Sequence, residues 1–291
     1  MVATAATPAI RMPSLHWGRA LRIGLPLIPV LLLVLVAIFG PMWVPHDPER
    51  IVGPPYRAPG GDYWFGTDSS GMDILSRTIA ATRLNVVIAT ITAVAATVGG
   101  MILGLIIGMG ESSSGVWGVL FRGIARILDL FEAVPAVVIA LVVVAFSGTS
   151  VPSLVLVLSI VLMSTQARLV RTEVLAVRNE AFVDAARMTG QSEAGLTIRH
   201  VLPHSATPAM ENAPVVFGQA VILTASLGFL GVGLPPPTPE WGAMIAQGAA
   251  DAAVGRWWPA TFPSIALILA VAIVAFLIPG LLRGRKSRSQ R

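Results

Sequence analysis

The chain has 291 residues, only 12% of them charged, with a mean hydropathy of +0.78 and a net charge of +5. A soluble domain carries roughly 25% charged residues, so this composition excludes an ordinary water-soluble enzyme and points to a membrane protein. The absence of cysteine excludes disulfides, thiolate metal sites and a cysteine nucleophile, and the positive balance fits basic loops on one membrane face better than a nucleic-acid surface.

A helix crosses a bilayer with about 20 apolar residues. Six such helices are expected, over roughly 24–43, 85–109, 118–146, 152–171, 205–231 and 260–281. The first follows arginines, as a signal peptide would. It is longer than a typical apolar signal core and lacks an Ala-x-Ala site, so it reads as an uncleaved anchor, with Pro26 and Pro29 able to bend it. The chain divides into an N-terminal arm, first helix and start of the external segment (1–60), an external segment (61–83), a five-helix membrane domain (84–282) and a basic tail (283–291). The second helix carries Gly100, Gly104 and Gly108 four apart, a stripe that allows close helix approach either within the chain or against a second subunit.

The third helix starts among Arg122, Arg126 and Asp129. Arg126 and Asp129 are spaced for a local i,i+3 ion pair, and Glu132 lies a turn deeper. Between the fourth and fifth helices runs a loop, Asn179–Pro203. It is expected to hold a first helix over 180–189 with Asn179 as cap, a break at Gly190, and a second helix over 192–200 capped by Ser192, with Pro203 at the start of the fifth span. Phe182, Ala185, Ala186 and Thr189 share one face of the first helix: small side chains for close approach and one aromatic anchor, a shape suited to the groove of a partner protein. Glu211 and Asn212 lie about two turns into the fifth span and Gln219 two turns further. With Glu132 they are candidates for the polar lining of a translocation path.

Near the C-terminus, Gly280–Ser287 imitates a phosphate loop. It has three residues between its glycines rather than four, Arg285 precedes Lys286, and it follows a span rather than a strand, so nucleotide binding is rejected. His16, His46, His200 and His204 form no metal constellation, although His200 and His204 are four apart. With the N-terminus in the cytoplasm, only Arg50, Arg57, Arg77, Arg83 and Arg256 of the 20 basic residues fall outside. That bias sets both termini in the cytoplasm and the 179–203 loop with them.

Asp184-Ala185-Ala186, Gly190 and Leu202-Pro203 together resemble the "EAA" loop of ATP-binding-cassette (ABC) importer permeases, with Asp184 in place of Glu and His200 in place of Ile. Trp64–Arg83 is similar to the Phe-Gly-Thr-Asp…Gly-Arg-Asp…Ser-Arg segment of the dipeptide, oligopeptide and nickel permeases, with Met72 in place of Arg. Arg199–Pro203 and Ala225–Ile245 fit the second of the two permeases those systems use. The resemblance spans most of residues 64–265. It implies an all-α type I ABC importer permease with six transmembrane helices and cytoplasmic coupling helices, in a bacterial cytoplasmic membrane. It implies that Phe182, Asp184, Ala185, Ala186, Gly190, Leu202 and Pro203 form the contact with a cytoplasmic ATPase.

The implied partners are a homologous second permease, two ATPase subunits or domains that bind ATP and magnesium, and an extracytoplasmic solute-binding protein. No cofactor is expected in this chain, which catalyses no bond chemistry. Pro236, Pro237, Glu240 and Trp241, in the external "LPPPTPEWG" stretch, are candidates for contact with the binding protein; a lid over the path is the competing reading. Peptides are the expected cargo, with nickel or another small solute as alternatives. A stand-alone secondary transporter is the rival class, and it would need ionisable residues at broken helices near the midplane.

Overall fold

The computed structural model describes residues 17–277, and side chains from Leu27 to Ala275. The N-terminal arm, the basic tail and Gly280–Ser287 lie outside the described residues. Ten α-helices follow in order: α1 Trp17–Phe39, α2 Ile74–Gly110, α3 Gly115–Glu132, α4 Ala136–Ser147, α5 Val151–Val177, α6 Ala181–Met188, α7 Glu193–Leu196, α8 Leu202–Phe229, α9 Trp241–Ala252 and α10 Trp258–Ala272. Two isolated β-bridges in the external segment are the only extended pairing among the described residues. Among the described residues, four helices are long and apolar enough to span a membrane: Ile74–Gly110, Val151–Val177, Glu193–Phe229 and Trp258–Ala275. The α3–α4 pair makes a fifth if counted as one span, and the first helix contributes a shorter apolar stretch, Leu27–Met42.

Three elements differ from the sequence reading. The expected helix over 118–146 is two helices bent by 94° between Glu132 and Ala136. Pro135 lacks an amide hydrogen and disfavours helical geometry at Val134, which ends α3 and restarts the chain as α4. α2 begins at Ile74 rather than near 85, because Asp73 caps it by accepting from the Ser76 amide at 2.9 Å. Its 37 residues reach about 55 Å at ~1.5 Å per residue, so it projects well beyond a ~30 Å hydrocarbon layer. α9, between the fifth and sixth spans, was not anticipated.

The centre of the bundle is α2 against α5. Built-on β-carbons at Gly100, Gly104 and Gly108 would run into Gln166, into Ala167 and Val170, and into Val174 respectively. The glycine stripe therefore serves packing within the chain, where close backbone approach supplies the van der Waals contact that binds helices in lipid. Gln166, fully buried, ties this pair to α8: its Nε2 donates to Thr97 Oγ1 at 3.1 Å and to the Ala209 carbonyl at 3.3 Å.

At the α2 N-terminal end of the bundle, residues 43–73 fold into a cap. Tyr63 donates its hydroxyl to the Val52 carbonyl at 2.6 Å and Trp258 its indole N–H to the Thr67 carbonyl at 3.2 Å. Arg77, buried near the start of α2, lies 3.6 Å from Asp68 and donates to the carbonyl of Pro237 at 3.2 Å, so it joins the two external segments.

Candidate functional site

A groove runs along one face of α8. Asn212, Gln219, Ile222, Ser226 and Phe229 fall at helical spacing on that face. They line three adjoining cavities of about 410, 380 and 450 Å³, running from the C-terminal part of α5 toward the α8 C-terminal end. Thr165 is shared by the first two and Ile222 by the last two. The inner chamber is lined by Leu169 and by four residues with polar groups, Thr165, Arg168, Thr172 and Asn212. The outer chamber is largely apolar, with Val137, Phe229, Leu230 and Leu267. The bend at Pro135 opens the middle chamber, because Phe131, Glu132 and Pro135 form part of its wall.

Three of the four residues expected on a path therefore meet in this groove: Glu132, Asn212 and Gln219. Glu211, half-buried on α8, lies one position off that row. Glu132 is not a lone carboxylate, since Arg168 Nε reaches its Oε2 at 2.8 Å. Asp129 does not pair with Arg126; it lies 3.6 Å from Arg171, which also holds Glu111 at 3.0 Å. The long α5 arginines reach α3 across the bundle, where the i,i+3 spacing suggested only a local contact. Asn212 donates to Gln166 Oε1 at 3.4 Å, which connects the groove wall to the buried glutamine.

The Asn179–Pro203 loop forms two short helices, α6 and α7, with corrections to its caps. Asn179 donates back to the Leu175 carbonyl at 2.9 Å, and Glu180 takes the cap position of α6 without a side-chain hydrogen bond. Ser192 caps α7 as expected, accepting from the Gly195 amide at 3.2 Å. The second helix does not stop near 200. It passes through a π-helical turn, Thr197–Val201, into α8, so Glu193–Phe229 is one continuous rod. Arg187 staples the pair, reaching Asp184 Oδ1 at 2.7 Å and Glu193 Oε1 at 2.8 Å, and these contacts hold its guanidinium pKa above the usual range. Asp184 is thus already engaged inside the loop.

Val183, fully buried among Val174, Val177 and Val201, anchors α6 to the bundle. Phe182 stays 42% exposed and lies over the rings of His200 and His204, with centroids at 6.2 and 5.2 Å. Ala185 is exposed, Ala186 and Leu202 half-buried, Pro203 exposed. Gly190 has φ +82° and open space around it. Met188, 90% exposed, and Ile198, exposed, add apolar surface to this face that the spacing of small residues did not reveal.

In the stretch expected to face a binding protein, Pro236 and Pro237 are exposed, but Glu240 and Trp241 are buried at 1% exposure, which leaves them no surface for a direct contact. Glu240 caps α9, accepting from the Gly242 and Ala243 amides at 2.8 Å each. Burial pushes its carboxyl pKa up, and those two amides oppose the shift. Trp241 donates to the Thr78 carbonyl at 3.1 Å and so docks α9 on α2.

A family described as binding-protein-dependent transport system inner membrane component matches residues 100–285, and the chain belongs to it. The chain is 34% identical over 259 residues to the di/tripeptide transport system permease protein DppC of Pseudomonas aeruginosa, covering 87% of this chain and 83% of that one. It is 34% identical over 259 residues to the glutathione transport system permease protein GsiD of Escherichia coli, covering 87% and 82%. Among solved structures it is similar to a chain of the MetNI methionine ABC transporter in an inward-facing form, with a TM-score of 0.53 at 19% identity over 70% of this chain and 94% of that one. That likeness concerns the fold alone. The chain is therefore a multi-pass membrane permease component of an ABC importer.

Proposed function

We propose that this chain is one of two permease subunits of a bacterial ATP-driven importer that moves short peptides delivered by an extracytoplasmic binding protein. One observation carries the reading: the rod Glu193–Phe229 begins with α7, which Arg187 ties to the docking helix α6, and forms the groove wall at its other end. A push on α6 and α7 by a closing ATPase dimer would reach the wall of the groove with no loop between α7 and α8. The second permease would face the open side of the groove, so that cargo passes between the two subunits. Peptide cargo rests on the names of the relatives. Both termini are placed in the cytoplasm, as the basic residues direct. Phe182, Ala185, Ala186, Met188 and Pro203 form the docking surface, with Gly190 setting its turn. Pro236 and Pro237 remain the surface offered to a binding protein.

The test is to purify the complex with its ATPase and to measure substrate-stimulated ATP hydrolysis and uptake in Ala186→Trp and Gly190→Val variants. Insertion in the membrane is expected to be normal, with ATPase retention or coupling reduced roughly tenfold, the effect of ~1.4 kcal/mol at a docking contact. Normal retention and coupled uptake in both variants would remove the docking role from this loop.

A further inference from the structure

We propose that Arg168 receives the C-terminal carboxylate of the cargo peptide at the inner end of the groove; this rests on the importer reading above. Arg168 lies about 26 Å along α5 from its outer end at ~1.5 Å per residue, near the inner edge of a ~30 Å hydrocarbon layer. A charge at that depth is costly unless it is paired or faces water. Its neighbour in the same row, Arg171, meets this need inside the protein. It holds two carboxylates, Glu111 at 3.0 Å and Asp129 at 3.6 Å, and its side chain is 22% exposed.

Arg168 has the same fork but only one carboxylate among the described residues, Glu132, which it meets through Nε. Its side chain is 56% exposed and lines the inner chamber beside Thr165, Thr172 and Asn212. A guanidinium accommodates two carboxylates in parallel, so its remaining donors define the chemistry of a ligand entering there. The adjoining middle chamber has Ile139, Val161, Ile222 and Leu223 beside Ser164 and Gln219, and the carboxylate in its wall, Glu132, is the one already paired with Arg168. Of the groups that unmodified peptides share whatever their sequence (a terminal ammonium, backbone amides and a terminal carboxylate), only the carboxylate complements a guanidinium. Glu132 partly neutralises Arg168, which keeps the contact weak enough for release, as conduction requires.

The chain has no cysteine, so Thr165→Cys gives a unique thiol in this subunit, beside Arg168 in the inner chamber. Its labelling by a soluble maleimide, scored on this chain by mass, is measured in the whole complex with trialanine or trialanine amide. Trialanine is expected to slow labelling roughly tenfold, the scale of one charge-assisted hydrogen bond, and the amide to have little effect. Adding Arg168→Gln should abolish the protection. Adding Glu132→Gln, which breaks the same ion pair but keeps the guanidinium, should preserve it. Equal protection by acid and amide, protection by neither, or protection that survives Arg168→Gln would overturn the assignment. A guanidinium that serves only a lipid headgroup falls among the second of these. Uptake of trialanine by the unmodified complex separates the two readings: uptake without protection removes the Arg168 site alone, and protection without uptake removes the peptide-import reading.

Discussion

Arg187 fixes the shape of the docking pair by holding Asp184 on its own helix and Glu193 on the next. Both contacts are exposed, so they order the loop more than they stabilise the protein. Glu240 is the opposite case, a carboxylate at 1% exposure whose two amide donors do not fully offset its burial. It has room only because residue 228 is glycine, where a β-carbon would collide with Glu240 Oε2. Its folded pKa is raised, so the folded state holds the proton more tightly than the unfolded chain. The stability this contributes is fully present below the ordinary carboxylate range and is lost as pH rises through the higher folded value. Glu240→Gln keeps one acceptor for the α9 cap and has no charge to bury. In thermal unfolding of the detergent-solubilised complex, the variant should gain on wild type between pH 5 and pH 8. The expected relative shift is about 2–4 °C for each kcal/mol involved. A difference between the two that is constant with pH would show that Glu240 does not titrate across this range. The sequence offered "PEWG" as an exposed recognition stretch because prolines and a tryptophan fit a surface loop. Only the cap geometry and the path of α9 turn Glu240 and Trp241 inward.

At the scale of elements, glycines at i, i+4 and i+8 mark in the sequence a face of α2 free of side chains for close packing, but not that α5 is what covers it. Gly104→Leu should place atoms against the Ala167 carbonyl and the Val170 side chain, which belong to the α5 backbone row and cannot swing away. Overpacking of this kind costs about 1–3 kcal/mol, seen as a melting temperature lower by several degrees. Ile102→Leu, at a 56% exposed position of the same helix, should leave it unchanged. Equal melting temperatures for the two variants would move the close contact elsewhere. The bend at Pro135 was less legible. A proline in an apolar run fits a kinked span as well as a break, and the lack of charge from Ala133 onward favoured one continuous span. The start of α2 was hidden for the reverse reason. Arg77 and Arg83 look like the edge of a membrane span, but a span's edge is not a helix's end, and Arg77 is buried against Asp68. The α5 arginines stood out by their charge, yet their partners on α3 could not be read from spacing, since such pairs depend on how two distant helices lie together.

At the scale of the whole molecule, the groove and the docking pair must lie on one axis, with the external cap at the far end. The cysteine-free sequence makes that arrangement directly testable. Asp62 is exposed in the external cap and Met188 is 90% exposed at the end of α6. Under the proposed orientation, Asp62→Cys should react with a membrane-impermeant maleimide in right-side-out vesicles. Met188→Cys should react only in inside-out vesicles. Met188 adds to the apolar side of the docking face, so its labelling should also slow severalfold when the ATPase subunits are present and recover when they are stripped away. Labelling of both positions from the same side would break the topology set by the basic residues. Labelling of Met188→Cys from the inner side at the same rate with and without ATPase would keep the topology but move the docking face away from α6. The two outcomes are separable because the first depends on how many times the chain crosses the membrane and the second on what covers a single exposed side chain.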